Sequence, residues 1–355
     1  MMRPRNPLCG ALLAAENGDI DRRGRNVMMA VMPAPYPHRR ARFFGAMLVT
    51  ATCLLAVQSS ICAAEMLRVG RPSARGFAGV PLVVGVKHGF FHTQDLDLEL
   101  LVFGGGRTAQ AMTAGGVDIS IQSGTEMAFL AKGVPAKAVA ALAGPPRELV
   151  LVVRPDLPIN SAADLKGRTI GVTGISLTGW LVSEVSRRQG WGPNGIKLNY
   201  AQPASSWALM KTRQIDGMAV DLGTALQAER NRDAKILLNF GTDLEAFHVF
   251  VAAAHNDLIR TRPDAVRRFL KAWFESIAFM RANKAATVAV SAELQDIEAD
   301  IASRVYDDVM PEFSSDGKFN DQALATLSRS FVALEMLPQE PDMRALYTEE
   351  FLPKP

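Results

Sequence analysis

From Met66 onward, short apolar runs alternate with segments whose apolar residues recur every three or four positions. Residues 66–70 (MLRVG), 96–102 (LDLELLV), 117–122 (VDISIQ), 136–142 and 148–153 read as strands, being short, apolar and bounded by Gly, Pro or charged turns. After the first strand comes a Gly-containing loop, 71–79. Pro81 then suits the first turn of a helix, where its missing N–H costs nothing, and Gly89 ends that helix. Gly104-Gly105-Gly106 leads into a short helix over 107–114, and Ser123-Gly124-Thr125 opens another. Strands alternating with helices predict an α/β fold built on largely parallel sheets.

The stiff segment 154–158 (RPDLP) reads as a crossing between two domains. Beyond it the pattern repeats. Residues 168–172 form a strand, and a Gly/Ser/Thr loop over 173–179 feeds a helix running to about 189. A strand at 196–200, a helix at 204–212 and a strand at 215–220 follow, then a helix from Asp221 and a last strand at 234–240. Residues 247–254 (FHVFVAAA) read as a strand returning to the first domain. Thereafter the chain is helical. In 264–282, Val266, Phe269, Leu270, Trp273, Ile277 and Met280 form an amphipathic stripe, and further helices are expected over 284–310 and 320–336. The expected organisation is a second lobe (156–242) inserted into a first (65–155 and 243–355).

Charge and cysteine divide the chain differently. Of 39 basic and 36 acidic residues, eight arginines and three acids precede residue 65, so the remainder holds 31 basic and 33 acidic residues. A nucleic-acid binder keeps a basic footprint on its folded domain; this slightly acidic one predicts no nucleic-acid partner. Cys9, Cys53 and Cys62 all lie in the same leading stretch. A chain cut after Ala64 has no thiol nucleophile and no thiolate metal site. The cut is expected there because basic residues 38–42 precede an uncharged run, 43–57 (FFGAMLVTATCLLAV), and then small residues, the order of a secretory signal peptide. The run is shorter than the ~20 residues a membrane-spanning helix needs. The mature chain, from Glu65, is expected in the periplasm.

Several segments, in order, carry a family resemblance: Leu67-Arg68-Val69-Gly70, Lys87-His88-Gly89-Phe90-Phe91, Gly104-Gly105-Gly106, Gly116-Val117-Asp118-Ile119 before Ser123-Gly124, the run ADLKGRTIGV at 163–172, and Gln214-Ile215-Asp216-Gly217-Met218 before Asp221. With them, residues 66–355 resemble the periplasmic substrate-binding proteins of the nitrate/sulfonate/taurine and thiamine-precursor type. The resemblance implies the two-lobed periplasmic-binding-protein type II fold with its ligand cleft between the lobes. It implies a monomer that captures a small anionic or polar organic molecule without altering it and passes it to the permease of an ABC transporter. Two alternatives remain. One is an enzyme of the same fold acting on a thiamine-pyrimidine-like precursor; such relatives carry a cysteine-rich motif that residues 65–355 lack. The other is a ligand-presenting partner of a membrane sensor.

By the same resemblance, ligand is held by the loop after strand one, the glycine turn, the turn after strand three, the loop 173–178 and the loop after Val220. The candidate residues are Phe77, Gly105, Gly106, Arg107, Ser123, Gly124, Thr125, Ser176, Thr178 and Asp221, with no catalytic residue, no cofactor and no metal ligand. Each loop lies at a helix start, where unpaired N–H groups and the positive end of the helix favour anions. Arg107 adds a planar cation suited to a carboxylate or sulfonate. Most candidates also have a plainer role: Ser123, Thr125, Ser176, Thr178 and Asp221 as helix caps, Gly105 and Gly106 as a tight turn, Phe77 as core, Arg107 as a solvated helix residue. His88 and His92 stand four apart, but Gly89 between them argues against a metal site.

Overall fold

The computed structural model describes residues 64–103, 106–173, 177–244 and 246–354. Of the expected leader, residues 1–64, all but Ala64 lie outside the described residues. Strand β1 (Glu65–Arg71) buries Leu67 and Val69 completely and sits between two parallel neighbours, β2 (Leu96–Val102) and β3 (Ile119–Ser123). Between them lie α1 (Val80–Lys87), with Pro in its first turn, and α2 (Arg107–Thr113). Gly89, at φ 75, supplies the left-handed residue just past α1. After α3 (Met127–Ala131) comes β4 (Ala136–Ala143).

The chain then leaves this sheet. Strand β5 (Leu149–Val153), apolar at every position, buries Val150 to Val153 fully, as a strand covered on both faces must. It pairs antiparallel with β8 (Gly217–Asp221) and β9 (Lys235–Asn239), in a sheet completed by β6 (Thr169–Val172) and β7 (Lys197–Tyr200). This corrects the expected lobe boundary: residues 149–155 belong to the second lobe, and the first crossing is 144–148. The Pro-rich segment 154–158 is a turn within the second lobe, tied to it by the Arg154 N–H donating to the Asp216 carbonyl at 3.0 Å. Proline content marked a turn, whereas continuous burial placed the strand.

Helices α4 (Leu177–Arg188), α5 (Pro203–Lys211), α6 (Leu222–Arg230) and α7 (Phe240–Asp243) connect the second sheet. The chain returns through 244–249 to β10 (Phe250–His255), antiparallel to both β3 and β4. The sheet orders are β2-β1-β3-β10-β4 and β7-β6-β8-β5-β9. The two crossings bond to each other, the Val249 N–H donating to the Gly144 carbonyl at 3.0 Å.

Five helices complete the chain: α8 (Asn256–Thr261), α9 (Pro263–Ala282), α10 (Lys284–Gln295), α11 (Ala299–Val309) and α12 (Asp321–Ala333). The expected stripe of α9 is buried throughout. The single helix expected over 284–310 is two, broken at Asp296, which takes φ 58. Among the described residues no helix is long and apolar enough to cross a membrane.

Candidate functional site

Strand direction decides which edges meet. β4 runs parallel to β1, β2 and β3, since both β3 and β4 are antiparallel to β10. Its carboxyl end passes directly into the first crossing, so the carboxyl ends of all four strands face the second lobe. There, β5 starts at Leu149 opposite Asp221, the carboxyl end of β8, to which β6 is parallel. Both lobes therefore present strand ends and helix starts to one another, the arrangement in which open α/β sheets bind ligands.

In the first lobe this rim is tightly built. A Cβ on Gly124 would lie 2.0 Å from the His248 carbonyl oxygen, so only glycine fits against the second crossing. Its N–H donates to the Val249 carbonyl at 3.1 Å. The hydroxyls of Ser123 and Thr125 bond one another at 2.9 Å, and Thr125 is buried. The expectation of a free N–H at Gly124 is thus corrected: the crossing has taken it. Gly106 and Arg107 are exposed at the start of α2. Gly104, Gly105 and Ser176 lie outside the described residues.

Phe77 takes the core role, 1% exposed and 5.9 Å from the Phe313 ring, which leaves it no face to offer a ligand. In the second lobe the Thr178 hydroxyl accepts from the Thr173 N–H at 3.1 Å and closes its own loop. Asp221 caps α6, its two oxygens accepting from the Thr224 N–H at 2.9 Å and the Thr224 hydroxyl at 2.8 Å. Burial raises its pKa, against these bonds. Met210 is buried and Trp207 packs against the core.

What sequence reasoning missed lies at the first crossing and the end of β1. Glu148, in the crossing, donates its N–H to Glu312 Oε2 at 3.1 Å. Both side chains are buried, at 7% and 3% exposure, and Glu148 Oε2 and Glu312 Oε1 have no hydrogen-bond partner. Burial, reinforced for Glu148 by Asp221 and for Glu312 by Glu148, pushes both pKa values up, which favours the neutral acids. Glu126, just past Thr125, has one enclosed oxygen without a partner and is pushed up to about 8 by burial. Arg71, the last residue of β1, has Nε and Nη1 enclosed and without partners among the described residues. In sequence it is one arginine at a strand end; its lack of a partner is a property of the fold.

The two flanks of the interlobe edge differ. On one, α11 packs against α6, with Arg230 bonded to Asp300, and a Cβ on Gly223 would meet Gln295 Oε1 at 2.9 Å. On the other, a groove of about 870 Å³ opens between α4 and α12, walled by Trp180 and Arg329 and floored by Gly144, Pro145, Phe247 and His248. Trp180 stacks on Phe247 at 5.1 Å and 13°. His248 is buried and accepts from the Asn320 N–H at 3.0 Å; burial lowers its pKa to about 4 and keeps it neutral.

Two lobes of this topology, joined by paired crossings with facing strand ends, define the two-lobed periplasmic-binding-protein type II architecture. Solved structures agree. The periplasmic aliphatic sulphonate binding protein SsuA of Escherichia coli superposes with a TM-score of 0.68 at 20% identity, over 80% of this chain and 92% of that one. The alkanesulfonate-binding protein SsuA of Xanthomonas axonopodis pv. citri, bound to MOPS, gives 0.69 at 17% identity, over 81% and 99%. The desulfurization enzyme DszB, in complex with biphenyl-2-sulfinic acid, gives 0.61 at 15%, over 81% and 97%. No curated protein sequence matches the chain. The chain belongs to the NMT1/THI5-like family, whose sequence profile matches residues 77–286.

Proposed function

We propose that the protein is an extracytoplasmic solute-binding protein that captures a small anionic or polar organic molecule between its lobes and delivers it, unchanged, to an ABC-type permease. The observation that carries this reading is the facing of two sets of strand carboxyl ends across a pair of hydrogen-bonded crossings. Such an edge lets a ligand contact both lobes at once and favour the closed form by its differential affinity. Family membership and the fold shared with proteins named for sulfonates support the reading. The leader pattern at 38–64 supports export, with the mature chain starting at Glu65.

A thermal-unfolding panel of sulfonates, carboxylates, nitrate and pyrimidines tests it. A ligand at about 100 times its Kd stabilises the folded form by about 2.7 kcal/mol through mass action. At least one class is expected to raise Tm and to be recovered chemically intact; recovery of a converted product would instead establish an enzyme. N-terminal sequencing of exported protein is expected to start at Glu65, and a product retaining Phe43 contradicts the processing.

A further inference from the structure

Arg71 and Arg68 share one strand, yet only Arg68 has its charge answered. Arg68 donates from Nε and Nη2 to the two oxygens of Asp118, at 3.0 and 2.9 Å. Arg71 stands at the carboxyl end of β1, on the edge that faces the second lobe, and no carboxylate pairs with it among the described residues. Its Nε and Nη1 are enclosed without a partner. The fold makes room for this guanidinium: a Cβ on Gly79 would lie 2.7 Å from Nη1. The turn that accommodates it, Phe77–Gly79, sets the Phe77 ring 5.9 Å from that of Phe313, next to Glu312, whose Oε2 accepts from the Glu148 N–H of the first crossing, so Arg71 lies beside the junction of the lobes.

An arginine stays charged in proteins and offers a planar fork of donors. Enclosing two of its nitrogens without an acceptor is costly, and an anion supplied from outside removes the cost. The acids of this junction do not supply the missing charge. Glu312 accepts from the Glu148 N–H, Asp221 caps α6, and burial favours the neutral form of Glu148, Glu312 and Asp221.

We propose that Arg71 is the anion-binding side chain of the interlobe edge, and that the solute carries an oxyanion group that this guanidinium receives. The proposal rests on the reading above, that solute is held between the lobes, and names the residue that selects it. Arg107, exposed on the start of α2, is then a comparison rather than the clamp.

The test is thermal unfolding of the purified protein in sodium acetate, methanesulfonate or phosphate against sodium chloride at equal ionic strength, for the parent, Arg71→Gln, Arg71→Lys and Arg107→Gln. At least one oxyanion is expected to raise the parent Tm above its value in chloride, and the anion that does so identifies the headgroup. Arg71→Gln should weaken that anion roughly 30-fold or more, the effect of truncating one partner of a buried charge pair. In chloride it should melt no lower than the parent, because two enclosed donors without an acceptor have been removed. Arg71→Lys, which keeps charge but loses the fork, should fall between them, and Arg107→Gln should respond like the parent. Equal anion responses in the parent and Arg71→Gln overturn the assignment. So does Arg71→Gln or Arg71→Lys melting well below the parent in chloride, since that marks a structural role. If a neutral solute stabilises the parent and Arg71→Gln equally, Arg71 is excluded while the solute-binding reading stands. If no compound of any class stabilises the parent, the reading falls with it.

Discussion

The two ends of strand β1 teach opposite lessons about charge. At its amino end, Glu65 bonds Arg262 and Arg268, and Arg68 bonds Asp118, with Arg262 also 3.5 Å from Asp118. Burial works against the Asp118 charge, but the Arg68 side-chain and backbone bonds and nearby Arg262 outweigh it and hold its pKa below the usual value. At the carboxyl end, Arg71 has two enclosed nitrogens without a partner, and Glu148 and Glu312 each have an enclosed oxygen in the same condition. A folded protein pairs nearly all its buried polar groups. A concentration of exceptions on the edge between two lobes therefore marks the place completed from outside, and the fully paired end marks scaffold.

That contrast can be broken in several places. The largest effect is expected at the scaffold part of the rim: Gly124→Ala puts a methyl 2.0 Å from the His248 carbonyl oxygen and should cost about 3 kcal/mol or more in urea unfolding. A change within experimental error would show the crossing to be loose. Next comes Glu126, whose folded pKa of about 8 lies above its ordinary 4.5. The folded form holds that proton more tightly, so its stabilisation is complete below pH 4.5 and is lost as pH rises through 8. The parent should lose stability progressively over this interval, and Glu126→Gln should lose clearly less. Matching pH profiles would show that Glu126 is ionised in the fold.

Asp118→Ala should cost about 2 kcal/mol at neutral pH, since it strips hydrogen bonds from Arg68 but leaves an arginine that reaches solvent. A cost near zero would remove the distinction between the two ends of β1. Smallest is the hydroxyl pair on the rim: Ser123→Ala should cost at most about 1 kcal/mol of stability and leave solute affinity unchanged. A selective loss of affinity would return this turn to the ligand.

Most of the architecture was legible in the pattern of the chain. Residues 96–102 form β2 as expected, and the stripe of α9 is buried as its spacing requires. The first crossing was misplaced because Arg154-Pro155-Asp156-Leu157-Pro158 has the composition of a linker. What assigns β5 to the second sheet is its pairing with β8 and β9, strands more than 60 residues further on. The candidate site was legible as loops but less so as side chains. Asp221 and Thr178 were recognised as either caps or ligand groups, and both are bonded within their own loops. Arg71 gave no signal, because its significance depends on the missing Cβ of Gly79 and on the lack, among the described residues, of an acid paired with it, neither of which is local in sequence.

Val102 and Tyr200 offer the most direct test of closure around a solute. They end the outermost strands of the two sheets, on the side away from the crossings, and are 48% and 57% exposed. Residues 65–355 contain no cysteine, so Val102→Cys and Tyr200→Cys place two unique spin labels in a chain that starts at Glu65. The distance between them, measured by double electron–electron resonance with and without the panel compound that stabilises the protein most, is expected to shorten on binding and to stay at its unliganded value in the Arg71→Gln background. An unchanged distance in the parent, with calorimetry showing the compound bound, would contradict the account.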